Sequence, residues 1–178
     1  ARGIDARATR IFSFSDYQRS FGGLASDSEL SYAVQQFFTN GGTDAYVVRV
    51  PRDGSAAAAI SMRDSVGGGA KTALKLTALS NGTWANYVIA DVDYDGVPAA
   101  DPMAFNLTIT ELKSGATESF SNVTLDAGKS NYVVPVVNDP DSGSKMVSVG
   151  VPDPTAGRPV AGGTTGGDMA VDPVTGLL

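Results

Sequence analysis

Residues 26 to 50 read "SDSELSYAVQQFFTNGGTDAYVVRV", and the order of elements in this stretch sets the fold class. Ser26 and Glu29 have the spacing of a capping box, in which two side chains satisfy free backbone N–H groups at a helix start. Leu30, Ala33, Val34, Phe37 and Phe38 recur at i, i+3, i+4, i+7 and i+8, one apolar face of a helix. Gly41 or Gly42 can take the left-handed conformation that closes such a helix. "AYVVRV", 45 to 50, reads as a buried strand. Full burial of the helix face predicts that Phe37→Ala costs about 3–5 kcal/mol.

Working outward, "ATRIFSF" (8–14) alternates and predicts a strand. "SFSDYQRSFGG" predicts a short helix from Asp16 to Phe21, ended by Gly22 and Gly23. Strand, helix and strand together predict a partial α/β layer over 8–50 with parallel strands. Residues 51–72 change character: an Ala-rich helix and a Gly linker are expected, with a domain boundary near Gly68.

From 73 to 151 the period becomes two. "ALKLTAL", "NYVIADVDY", "AFNLTITEL", "TESFSNV", "NYVVPVV" and "KMVSVGV" read as short strands, separated by "SNG", "DG", "KSG", "DAG" and "DPDSG" turns. This predicts an antiparallel β-sandwich and makes the whole chain α+β. The stretch after 152 is rich in Pro, Gly and Thr and reads as a flexible segment. The expected division is a partial α/β segment with linker over 1–67, a β-sandwich domain over 68–152 and a flexible segment over 153–178.

The chain has 178 residues, a net charge of -6, no Cys and no His. The acidic balance, with no cluster of Lys and Arg, predicts neither nucleic acid nor an anionic membrane as a partner. Missing Cys and His exclude disulfides, thiol nucleophiles, imidazole bases and most zinc or iron sites, and fit a reducing compartment. No apolar run approaches the roughly 20 residues of a membrane-crossing helix. The start has no Met and no signal-peptide core, and the end breaks off as an apolar pattern resumes, so a fragment of a longer protein is expected.

"DVDYDG", 91 to 96, places Asp91, Asp93, Asp95 and Gly96 on calcium-loop positions. The ion also needs a bidentate Glu at the twelfth position, which here is Pro102. The alternative is a strand with Val88, Ala90, Val92 and Tyr94 facing a core and the acids facing water. The strand is the reading adopted, and no metal is expected. "GGGAKT", 67 to 72, lacks the glycine spacing of a phosphate loop, with Ser65 and Ala70 at the required positions. Asn81, Asn106 and Asn122 begin glycosylation sequons of the kind that arise by chance in Ser/Thr-rich strands. No carboxylate pair stands out for acid–base chemistry. The expectation is no enzyme, no catalytic residue and no cofactor. Trp84 is read as a core anchor rather than a stacking platform on a loop.

"FSFSDYQRSFGG" (12–23) followed by "SELSYAVQQFFTNGGTDAYVVRV" (28–50) resembles the tail sheath proteins of contractile phage tails and related injection systems. "LTALSNGTWANYVIADVDYD" (76–95) is similar to the segment opening that family's inserted β domain, and "YVVPVVNDPDSGSKMVSV" (132–149) to its closing strands. The resemblance spans about 8–151 and lacks the family's N-terminal extension and C-terminal region. It implies a virion structural subunit that stacks in rings, typically hexameric, around an inner tube. Its partners would be other sheath subunits and the tube protein, and the virion tail its location. Without the two terminal arms this chain is expected to be monomeric. The competing expectation is a non-catalytic β-sandwich that binds carbohydrate or a cell surface.

Overall fold

The computed structural model describes residues 3–26, 28–66 and 71–164. The glycine stretch 67–70, with the phosphate-loop candidate it opens, and residues 165–178 of the expected flexible segment lie outside the described residues.

The N-terminal layer runs β1 (Ala8–Ile11), α1 (Phe14–Phe21), α2 (Glu29–Thr39) and β2 (Ala45–Val48). Helix α1 starts at the Ser13 cap, whose Oγ accepts the Asp16 N–H at 3.1 Å. It ends where Gly22 turns to φ +88°. Helix α2 is capped at Ser28 rather than at Ser26, and the Ser28 side chain makes no capping bond. Its C-terminus is a Schellman motif: Gly42 N–H bonds Phe37 C=O at 2.9 Å, and Gly41 N–H bonds Phe38 C=O at 3.2 Å. Gly41 sits at φ +90°, where a side chain is strained, and a Cβ on Gly42 would stand 2.3 Å from the Phe37 ring, which would have to shift.

The parallel pairing expected for this layer is corrected. β1 and β2 are antiparallel, with Ala8 opposite Val48 and Ile11 opposite Ala45. The connection holds two helices, not one. A single crossover helix returns the chain for a parallel strand; a second helix reverses it again.

A second correction concerns the apolar face of α2. Val34 is buried and Phe38 half-buried, but Leu30, Ala33 and Phe37 are exposed. The layer's core is small: Ile11, Tyr17, Phe21, Val34 and Val47, with α1 supplying two stacked aromatic rings. That core reaches only part of the α2 face.

The second region is two antiparallel sheets. One has the order β3 (Ala59–Arg63), β4 (Thr72–Ala78), β8 (Val147–Gly150); the other β7 (Ala116–Thr124), β6 (Ala104–Glu111), β5 (Val88–Asp93), β9 (Gly162–Thr164). Ile60, Met62, Leu74, Leu76 and Val149 from the first face Ala90, Val92, Leu107, Ile109 and Val123 from the second in one core. The chain is α+β, as expected from its sequence.

Several elements differ from expectation. The Ala-rich stretch forms no helix and leads into β3 at its last alanine, Ala59, because Ile60 and Met62 alternate inward beside Leu74 and Leu76. The expected boundary near Gly68 therefore falls between two strands that pair. "NYVVPVV" is a strand by propensity, but Val133–Val137 form the short helix α3. Pro135 would remove a ladder hydrogen bond from a strand, whereas in a first helical turn its missing N–H costs nothing. Val133 and Val137, four residues apart, both reach the core. Residues 83–87 form a 3-10 turn, and 162–164 form β9 within the stretch expected to be flexible.

A bulge in β7 lets Asn122 take φ +52°, a conformation asparagine tolerates. Two side chains satisfy its backbone: Asn106 Oδ1 accepts its N–H at 2.9 Å, and Asn131 donates to its C=O at 2.6 Å.

Candidate assembly surface

The outer face of the two-stranded sheet exposes apolar side chains. Ile11, Thr9, Val47 and Ala45 point one way, and Ile11 and Val47 enter the small core. The opposite positions carry Phe12, Tyr46, Val48 and Val50, all exposed, with Tyr46 at 66% and Val50 at 80%. Arg10 lies among them, its guanidinium 4.8 Å from the Phe12 ring centre and 5.8 Å from that of Tyr46. Its Nε and Nη2 donate to Asp44 Oδ2 at 2.9 and 2.7 Å, and that bond raises the guanidinium pKa further. On α2, Leu30, Tyr32 and Phe37 are also exposed. Among the described residues β1 and β2 pair only with each other and with Asp5, so each keeps an open edge.

In the three-stranded sheet, neighbouring chain covers part of both edge strands. Asn138 clamps β8: its Oδ1 accepts the Val149 N–H at 2.7 Å and its Nδ2 donates to Val149 C=O at 2.8 Å. The end of β3 is held by residues 158–160, through Ser65 N–H to Arg158 C=O and Val160 N–H to Arg63 C=O, both 2.9 Å.

The residues singled out for chemistry fall as follows. Trp84 is 7% exposed, and its indole N–H donates to Ser80 C=O at 3.2 Å. It is a core anchor, not a stacking platform. Val88, Ala90 and Val92 are buried and Tyr94 half-buried, so "DVDYDG" is a strand running into a turn. Asp93 Oδ1 accepts from Asn106 Nδ2 at 2.5 Å and from Asp95 N–H at 2.9 Å, and Asn106 holds its pKa below the usual aspartate value. Asn106 and Asn81 both spend their amide N–H groups internally, Asn81 on Ser55 C=O at 3.0 Å. Among the described residues no three acidic side chains gather as a metal site. A shallow depression of about 360 Å³ between Lys75, Thr77, Asn138 and Ser148 holds one ionisable side chain, so no acid–base pair meets there.

Sequence reasoning missed the exposed sheet face. Its signal was present: in "AYVVRV" apolar residues occupy both parities, so one set had to face away from any one-sided core.

With this geometry in place, the comparisons are informative. The sheath tail protein from Listeria innocua superposes over 93% of this chain with a TM-score of 0.59 at 15% identity. The fold is that of part of a sheath tail protein. The match covers 31% of the Listeria protein, so this chain spans about a third of its length. A sheath tail protein from Desulfitobacterium hafniense aligns over 96% of this chain and 34% of its own at 15% identity, with a TM-score of 0.47. No protein-family model matches the chain, and no curated protein matches it in sequence.

Proposed function

We propose that this chain is a structural, non-catalytic segment of a contractile tail sheath subunit, located in the virion tail. The observation that carries the reading is the shared fold with a sheath tail protein over nearly the whole of this chain. The exposed sheet face supports it. A two-stranded sheet is marginal in water, and this one presents an apolar outer face and open edges. Such a surface is built to be covered by further polypeptide, either the rest of a longer subunit or neighbouring subunits. In this reading the subunits stack as rings around an inner tube and contract, and their energy lies in subunit contacts rather than in a bound cofactor. The adhesion alternative loses its candidate residue, since Trp84 is buried.

Electron microscopy of the longer protein that contains this segment tests the reading, with tubes of stacked rings expected. Sedimentation of the 178-residue chain alone should give a monomer or a weak oligomer. A longer protein that never polymerises at any salt concentration would sink the sheath assignment.

A further inference from the structure

The two regions have separate apolar cores that share no residue. The chain between them passes through exposed Arg52, Asp53 and Gly54. Among the described residues, polar contacts between them gather on one loop. Arg49, just after β2, directs Nη1 to the Asp5 carboxylate and Nη2 to Asn81 C=O at 2.5 Å. The other oxygen of Asp5 accepts the Asn81 N–H at 3.1 Å, closing a ring of three residues. Gly3 N–H adds a bond to Ser80 Oγ at 3.2 Å.

We propose that Asp5, Arg49 and Asn81 form a latch that sets the orientation of the N-terminal layer relative to the two sheets. Each side of the latch is anchored. On the layer side, Ala6 N–H bonds Arg49 C=O at 2.8 Å, so Asp5 and Arg49 are held beside each other. On the sheet side, Ser80 C=O is fixed by the buried Trp84 indole, Asn81 Nδ2 is bonded to Ser55, and Gly82 N–H bonds Ala56 C=O at 3.1 Å. The Arg49 and Asp5 side chains are only 15% and 24% exposed, so solvent screens the pair weakly. The planar guanidinium serves a carboxylate and a carbonyl at once, which a lysine ammonium on a flexible stem does not reproduce. Gly82 permits the approach: it sits at φ +118°, and a Cβ there would stand 3.1 Å from Arg49 Nη2. Two regions joined through a short polar contact and an exposed connection form a hinge, and the latch decides which angle is populated.

The chain has no Cys, so labels can be placed cleanly. Spin labels on Gln36→Cys and Ser119→Cys span the two regions, and labels on Lys75→Cys and Ser119→Cys stay within the sheets. Pulsed dipolar spectroscopy should give one narrow distance peak for each pair in the unaltered latch. Arg49→Ala, Arg49→Lys and Gly82→Ala should each abolish the narrow peak between regions and leave the peak within the sheets unchanged. An inter-region peak that stays narrow in all three variants overturns the proposal. So does loss of both peaks together, which would make the cluster a support of the whole fold rather than of the angle. Either result is independent of whether the longer protein forms tubes.

Discussion

The four-stranded sheet and the two-stranded sheet treat their outward faces in opposite ways. Outward positions of β6 and β7 carry Thr108, Thr110, Thr117 and Ser119, whose hydroxyls pair across the strands at 3.3 and 3.2 Å. Such a face is content in water. Outward positions along β1 and β2 carry Phe12, Tyr46, Val48 and Val50. The first sheet packs its inner face on another sheet through a large core; the second packs on two helices through a small one. The difference separates two jobs. The two-sheet region packs around a large core of its own, while the layer packs around a small one and leaves apolar side chains in water.

The largest expected effect comes from the larger core. Phe105 is fully buried there, and Phe105→Ala should cost about 3–5 kcal/mol in urea unfolding. A loss below about 1 kcal/mol would mean that the two-sheet core is not where stability resides. Next is the edge clamp. Asn138→Ala leaves both polar groups of Val149 without their partner and should cost about 1–3 kcal/mol. Amide exchange should speed up at Val149 and leave the N-terminal layer unchanged; equal acceleration in both regions would erase the distinction.

In the layer, Phe37 is 44% exposed, so Phe37→Ala should cost about 1 kcal/mol or less, not the value for full burial. A loss of about 3 kcal/mol or more would show that α2 is covered in solution and that the layer is more complete than its exposure indicates.

The smallest effect is that of acid. Lys129 holds Asp101 below the ordinary 3.8, backbone and side-chain donors do the same for Asp93, Asp139 and Asp153, and in the layer Asp16 is lowered chiefly by the Phe12 N–H. A carboxylate with a depressed folded-state pKa contributes stability above its unfolded value, and that contribution is lost as pH falls through the folded one. Stability should therefore decline as pH falls below about 5 and on through the depressed folded-state values, and Asp101→Asn should flatten the decline. An unchanged slope in that variant would remove Asp101 from the account.

Much of this was legible in the order of residues. β4, β5, β6, β7 and β8 each alternate with period two, and the pattern survives because each has one face on the shared core. The Schellman glycines after α2 were legible for the same local reason: their conformation depends only on neighbours within a turn. The failures share another cause. β3 is a short alternation of five residues that follows a run of alanines, and its pairing with β4 makes a strand of it. The valines of α3 prefer extended backbone, and burial of Val133 and Val137 against the sheets outweighs that preference.

Local chemistry therefore determined the α+β class, the glycine stop of α2, most strands of the two sheets, and the lack of Cys and His chemistry, because each depends on residue type and short-range spacing. Tertiary structure alone decided the antiparallel pairing of β1 with β2, which side of α2 stays uncovered, and the meeting of Asp5, Arg49 and Asn81. Those outcomes turn on contacts between residues tens of positions apart. Side-chain type states only that such a residue seeks a partner, and the fold chooses which one.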